Sequence, residues 1–257
     1  MILAPRLLSP SRLRVFASDF IIDTNFRVIH EDDEILIIDK PAPLAVHPVG
    51  AYAELNLHSL IKKDPRWAGM TVRFMHRLDA ETSGVICIAK TASAARFIGI
   101  EFLNSRVEKT YHALVFGVPE RSEGEIALSL GRDESSGFQT VRIADEKNGE
   151  AAVTRYRVLE SARGYSWLEV QPLTGRTHQI RAHLSLIGHP IVGDKIYIDL
   201  NIFREYVTGG LNPEMLKRLL LPRLALHASR LAFTHPSTRQ RVEFSSQAPS
   251  WLEQMPL

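Results

Sequence analysis

One cysteine in 257 residues excludes an internal disulfide and any metal site built from several thiolates. It also points to a reducing compartment, so a cytoplasmic protein is expected. Cys87 lies inside the apolar run Gly84-Val85-Ile86-Cys87-Ile88-Ala89, where a buried structural thiol is the natural reading and a nucleophile the poorer one. No apolar run approaches the ~18 residues of a membrane span. The start lacks the apolar core of a signal peptide. Its Arg6, Arg12 and Arg14, with no acid before Asp19, resemble a transit peptide, but Pro5 and Pro10 interrupt the amphipathic helix such peptides use. There is no low-complexity linker and no internal repeat. A dinucleotide-binding glycine fingerprint, a phosphate-binding P-loop and a Gly-x-Ser-x-Gly elbow are all missing. His178 and His183 are five residues apart and diverge by roughly 140° around a helix, which argues against a metalloprotease-type metal site.

What is present reads as an ordinary globular chain. The apolar share is 45% and the net charge +2, with a pI near 8.7, which permits a polyanionic partner without requiring one. The charge is unevenly spread: between 212 and 241 the chain has Lys217, Arg218, Arg223, Arg230, Arg239 and Arg241 against Glu214 alone. This stretch is a candidate phosphate-facing surface.

The periodicity after residue 25 predicts one continuous α+β domain on a mixed, largely antiparallel sheet flanked by helices and loops. Residues 1–25 are expected to be an N-terminal extension and 26–257 a single catalytic domain. Strands are predicted at 26–30, 35–39, 84–89, 111–116, 139–143, 153–159, 167–171, 226–233 and 242–244. Helices are predicted at 55–63, from a Thr91 N-cap to about 103 with Ala94, Phe97, Ile98 and Phe102 on one face, and at 177–187. Strands that follow one another directly argue against a doubly wound sheet.

Two segments concentrate the chemistry. In His76-Arg77-Leu78-Asp79-Ala80-Glu81-Thr82-Ser83-Gly84, Asp79 falls where a polar loop meets an apolar strand. In Gly175-Arg176-Thr177-His178-Gln179-Ile180-Arg181, Arg181 lies on a helix whose Ile180, Leu184 and Ile187 form the buried stripe. An aspartate beside a strand is most often a turn former. As a reacting group it needs a nearby cation to stay ionised in a dry pocket, and a guanidinium suits a carboxylate. Arg181 is equally readable as a solvated surface residue. Tyr111, in Lys109-Thr110-Tyr111-His112-Ala113, reads as a packing residue or as a hydroxyl acting on a proton.

Taken together these segments resemble the RluA-type pseudouridine synthases of the RsuA/RluA-like family. Ile38-Asp39-Lys40-Pro41-Ala42-Pro43-Leu44-Ala45-Val46-His47-Pro48, the His76–Gly84 segment, Lys109–Ala113 and Leu173–His183 continuing through Gly193-Asp194-Lys195 stand in the family's order. Leu226-His227-Ala228 and Phe233-Thr234-His235-Pro236 complete the pattern. Asp39 and Pro43 depart from the family's usual Asn and Gly in the first motif. With only about 25 residues before the first strand, no N-terminal S4 domain is expected. The resemblance implies isomerisation of uridine to pseudouridine in rRNA or tRNA, without metal or cofactor, by a protein that is monomeric by default. It implies that Asp79 starts glycosidic cleavage, that Arg181 keeps Asp79 ionised, and that Tyr111 stacks on the base and helps remove the C5 proton. It also implies that Arg77 fills the gap left by the extruded uridine. His76, Arg77, Lys109, Arg176, His178, Arg218 and Arg223 are the expected RNA-binding residues. The competing reading is an RNA-binding or folding-assistance protein whose isomerase activity is incidental.

Overall fold

The structure, a computed structural model, describes residues 22–247 and Pro249; most of the proposed extension, with Arg6, Arg12 and Arg14, lies outside them. The chain falls into two compact units. The first holds the described residues up to Glu108, Val207–Gly210 and residues 228–247; the second holds Lys109–Tyr206, Leu211–His227 and Pro249.

In the first unit, β1 (Arg27–Glu31) pairs antiparallel with β2 (Ile35–Lys40), which pairs antiparallel with β4 (Ser83–Ala89). The two-residue β3 (Arg73–Phe74) adds to β4. On the other side of β4 runs β11 (Leu226–Thr234), which carries β12 (Arg241–Ser245). All seven residues of β4 are buried, as expected of a strand covered on both faces. Helix α1 (Leu57–Lys63) starts at a capping box in which the Asn56 side chain accepts from Ser59 N–H and the Ser59 hydroxyl accepts from Asn56 N–H. Helix α2 (Ala92–Leu103) starts at Thr91, whose hydroxyl accepts from Ala94 N–H, as its sequence predicts. Its Ile98, with Phe97 and Phe102, packs on Ile35, Ile37, Val85, Cys87, Leu231 and Phe233. Cys87 is the buried structural thiol anticipated from its run, and burial pushes its pKa up.

In the second unit, β5 (Glu108–Phe116), β10 (Tyr165–Pro172), β9 (Val153–Ala162) and β6 (Glu123–Ala127) follow one another in space, each pair antiparallel. The strict alternation of burial along β10 shows one face packed and one open. A separate ribbon pairs β7 (Leu130–Arg132) with β8 (Arg142–Ala144). Helices α3 (Gln179–Leu186), α4 (Leu200–Gly209) and α5 (Pro213–Leu219) complete the α+β chain.

The pattern misled in two places, at 139–143 and at 177–187, and left β3, β6, β7, α4 and α5 without a reading. The strand expected at 139–143 shrinks to β8, because Gly137 takes a left-handed φ of 79° and residues 139–140 form a turn. The helix expected at 177–187 begins two residues later, because His178 adopts φ 54°, outside the helical region. The basic stretch 212–241 contains α5, although Asn212 and Pro213 are a cap and first-turn signal: the Asn212 side chain accepts from Met215 N–H at 2.8 Å. Several cations of that stretch meet acids: Lys217 with Glu214, Arg218 with Asp199, Arg230 with Glu243 and Arg241 with Glu108. The stretch is also divided between the two units. Among the described residues no helix is long and apolar enough to cross a membrane.

Candidate active site

In the first unit the residues around Asp79 are held from both sides. Chain leaving β3 stays against β4: Met75 N–H donates to Cys87 O at 2.9 Å, and Cys87 N–H donates to His76 Nε2 at 3.1 Å. His76 thus accepts a backbone hydrogen bond on Nε2, which requires that nitrogen to be unprotonated. Leu78 is buried, Arg77 is exposed, and Asp79 is half-buried between Leu78 and Ala80. Thr82 N–H donates to Asp79 O at 3.1 Å, closing the turn. Gly84, at φ 112°, then lies so close to the Ala228 backbone that a Cβ would collide with its carbonyl. Only glycine satisfies both demands at that position.

The turn is also held by a residue to which the first motif, read as sequence, assigned no role. Lys40, at the end of β2, is fully buried, and its ammonium donates to Pro41 O at 2.9 Å, Leu44 O at 2.7 Å and Ala80 O at 3.3 Å. Leu44 N–H donates to the same Ala80 carbonyl at 2.8 Å. A buried ammonium needs several acceptors to offset its desolvation. Here those acceptors are backbone carbonyls of the first motif's loop and of the residue after Asp79. The motif's lysine is therefore a clamp that fixes where Asp79 leaves the backbone. Asp39 pairs with Arg27 at 3.3 Å.

The second unit carries the rest of the predicted set. Tyr111 and Lys109 lie two apart on β5 and so share a face; Tyr111 is 9% exposed. Lys109 Nζ donates to Thr174 O at 2.8 Å, and burial pushes its pKa down to about 8. The Thr174–His178 loop is organised by Gln179. Its Oε1 accepts from the Thr174 hydroxyl at 2.7 Å and from Arg176 N–H at 3.0 Å, while its Nε2 donates to Val153 O at 2.9 Å and Thr154 Oγ1 at 3.0 Å. Arg176 is exposed and pairs with Glu150 at 2.8 Å. The His178 ring approaches the Tyr197 hydroxyl at 3.3 Å. Arg218 is exposed and Arg223 half-buried.

Helix α3 is buried on more than the stripe its apolar residues define: every residue from Gln179 to Leu184 is inside. Arg181 is 8% exposed and makes a two-pronged pair with Asp194, Nε to Oδ2 at 2.7 Å and Nη2 to Oδ1 at 2.9 Å. Asp194 Oδ1 also accepts from Ile196 N–H at 2.9 Å and Tyr197 N–H at 3.1 Å. Burial alone would raise the Asp194 pKa. The Arg181 charge and these hydrogen bonds overcome it and hold the carboxyl below its usual range. The guanidinium also lies 5.3 Å from the centre of the Tyr197 ring. Asp194 had no periodic signal in the sequence, since the pairing spans 13 residues and a chain reversal.

His183, also on α3, is fully buried. Its Nε2 lies 3.0 Å from Leu128 O, which can only accept, so Nε2 carries the proton. Its Nδ1 then accepts from the Thr154 hydroxyl at 2.9 Å. The ring is held neutral: burial lowers its pKa, only partly opposed by the Leu128 carbonyl. A depressed histidine pKa means that below the unfolded value of ~6.5 the unfolded chain takes up a proton the folded chain refuses. Stability is therefore expected to fall as pH drops below about 6.5. His183→Gln, which keeps one donor and one acceptor, should reduce that pH slope by up to one proton in pH-dependent urea unfolding. An unchanged slope would remove His183 from the account.

The sequence model for the RNA pseudouridylate synthase family matches residues 34–186. A protein of Chlorobaculum parvum named as an uncharacterized RNA pseudouridine synthase is 36% identical over 250 residues, 90% of this chain and 73% of that protein. The ribosomal large subunit pseudouridine synthase D of Pseudomonas aeruginosa is 36% identical over 236 residues, 90% of this chain and 71% of that one. Among solved structures, the human RNA pseudouridylate synthase domain containing 1 superposes with a TM-score of 0.69 at 27% identity, covering 88% of this chain and 84% of its own. The match spans the Asp79 turn, the Tyr111 strand and the Arg181 helix alike. The chain belongs to the RNA pseudouridylate synthase family, of RluA type, and is an RNA pseudouridine synthase, an isomerase.

Proposed function

We propose that this synthase isomerises uridine in structural RNA, ribosomal RNA of the large subunit before tRNA, with Asp79 as the reacting carboxylate. The preference for ribosomal RNA rests on relatives such as those of Pseudomonas aeruginosa, Zymomonas mobilis and Nitrosomonas europaea, each called ribosomal large subunit pseudouridine synthase D. The observation that carries Asp79 is the grip on its turn: Lys40 Nζ and Leu44 N–H both bind the Ala80 carbonyl. Catalytic groups gain from such fixed placement.

In this reading Asp79 opens the C1′–N1 bond, by attack at C1′ or by removal of the 2′ proton. The freed uracil turns and rejoins through C5, forming C5–C1′; the C5 proton leaves and N1 takes one up, so the reaction needs no oxidant or energy source. Arg181 is the cation that keeps Asp79 ionised, and its two bonds to Asp194 support that role by fixing the guanidinium. Tyr111 stacks on the base and aids loss of the C5 proton. Arg77, exposed beside Asp79, fills the gap in the RNA. His76, Lys109, Arg176, His178, Arg218 and Arg223 are the remaining proposed RNA contacts.

The test is tritium release from 5-³H-uridine RNA, taken from cells lacking this gene and separated into ribosomal and transfer fractions. Release from the large-subunit fraction is expected. Release from tRNA alone would move the substrate, and no release from either would overturn the reading.

A further inference from the structure

His47, His58 and Phe74 come from three separate segments of the first unit, yet their rings gather in one place. The His47 and Phe74 rings stand edge to face with centroids 5.0 Å apart. The two imidazoles lie 6.1 Å apart, and His58 lies 6.3 Å from Phe74. Backbone bonds build the arrangement. His58 N–H donates to Val46 O at 3.0 Å and Leu57 N–H to Ala45 O at 2.9 Å, stitching the start of α1 to the first motif's loop. Phe74 is delivered by β3, opposite Ile88 of β4.

The cluster is not core. His47 is exposed and the other two rings are half-buried. Burial, then the neighbouring His58 and Arg77 charges, lower the His47 pKa; burial, then Lys62, lower that of His58. Both rings are thus neutral aromatic surfaces at neutral pH, and two permanent cations, Arg77 and Lys62, stand close enough to be felt. A protein-docking patch would show more apolar area, and Phe74 is the one apolar ring here. Ring faces flanked by cations fit single-stranded nucleic acid, whose bases stack on aromatic and histidine side chains while phosphates meet Arg and Lys.

We propose that His47, His58 and Phe74 form a stacking platform for an unpaired nucleotide neighbouring the target uridine, with its phosphates facing Arg77 and Lys62. The proposal rests on Asp79 as the reacting carboxylate, because the Lys40 ammonium joins the loop leading to His47, through Leu44 O, to the Asp79 turn, through Ala80 O. A base stacked there selects RNA in which the residues beside the uridine are also unpaired, so the platform contributes to substrate choice without touching the reacting atoms.

The probe is a single-stranded RNA oligomer alternating uridine with the fluorescent base 2-aminopurine, whose emission is quenched on stacking. Wild type should bind it with quenching, and the His47→Ala/His58→Ala variant should bind about tenfold more weakly with the quenching lost. Phe74→Leu, which keeps apolar bulk without a π face, should give an intermediate loss and decides the matter if the double variant fails to fold. In tritium release, the variants should raise KM while kcat stays near wild type. Unchanged affinity and quenching in folded variants, or no binding by wild type, would overturn the platform. Loss of tritium release in wild type overturns the proposed function instead, and the quenching result stands apart from it.

Discussion

Asp79→Asn is expected to abolish pseudouridine formation while leaving fold and RNA affinity nearly unchanged. The substitution keeps the shape of the side chain and removes its charge and basicity. A covalent or proton-transferring group contributes at least roughly 10²–10⁴-fold to rate, so turnover should fall by that factor or more. The fold should tolerate the change because the turn is secured elsewhere, by buried Leu78, by Thr82 N–H on Asp79 O, and by Lys40 and Leu44 on Ala80 O. Tritium release and filter binding on the same RNA separate the two effects. Residual turnover within tenfold of wild type would remove Asp79 from the chemistry. Equal loss of binding and turnover would mean that the residue serves mainly to hold RNA.

Breaking the Arg181–Asp194 pair should have the largest effect on stability. Both side chains are buried, and the carboxylate also takes two backbone N–H groups. Removing one partner of a buried pair strands the other and typically costs about 3–5 kcal/mol. Arg181→Met leaves Asp194 without the cation that offsets its desolvation; Asp194→Ala leaves a buried guanidinium without its two acceptors. Each should lower the melting temperature by roughly 10 °C. Asp194→Asn should lose less, since one oxygen still accepts. The catalytic consequence differs between the two positions. If Arg181 serves Asp79, Arg181→Met loses activity even at temperatures where it is fully folded, and Asp194→Asn retains part of it. If both variants lose activity only in proportion to their unfolded fraction, the pair is architectural and Arg181 has no catalytic role.

How much of this was legible in the chain differs from element to element. The α2 helix was readable from its cap to its last turn, because Thr91 is a cap and Ala94, Phe97, Ile98 and Phe102 repeat with the helical period. Strand β4 was readable because a covered strand is a short apolar run bounded by polar residues. The same rules failed at the 139–143 segment, where one left-handed glycine ends the extended run, and gave no reading of α5, whose buried Met215 and Leu219 make too short a stripe to stand out. His76, expected to touch RNA, places its Nε2 on the Cys87 amide; nothing in its sequence neighbours announces that bond.

The sequence by itself determined the α+β class, the identity of Asp79, Tyr111 and Arg181 as residues of interest, and the family that their surrounding segments resemble. These are local properties: periodicity, capping and motif order are written along the chain. Only the tertiary structure decided that Lys40 clamps the Asp79 turn, that Asp194 holds Arg181, that Gln179 locks the loop before it, and that His47, His58 and Phe74 meet. Each of those is a contact between positions whose separation follows no period. Burial, which turns such a contact into a strong constraint, is a property of the folded chain alone.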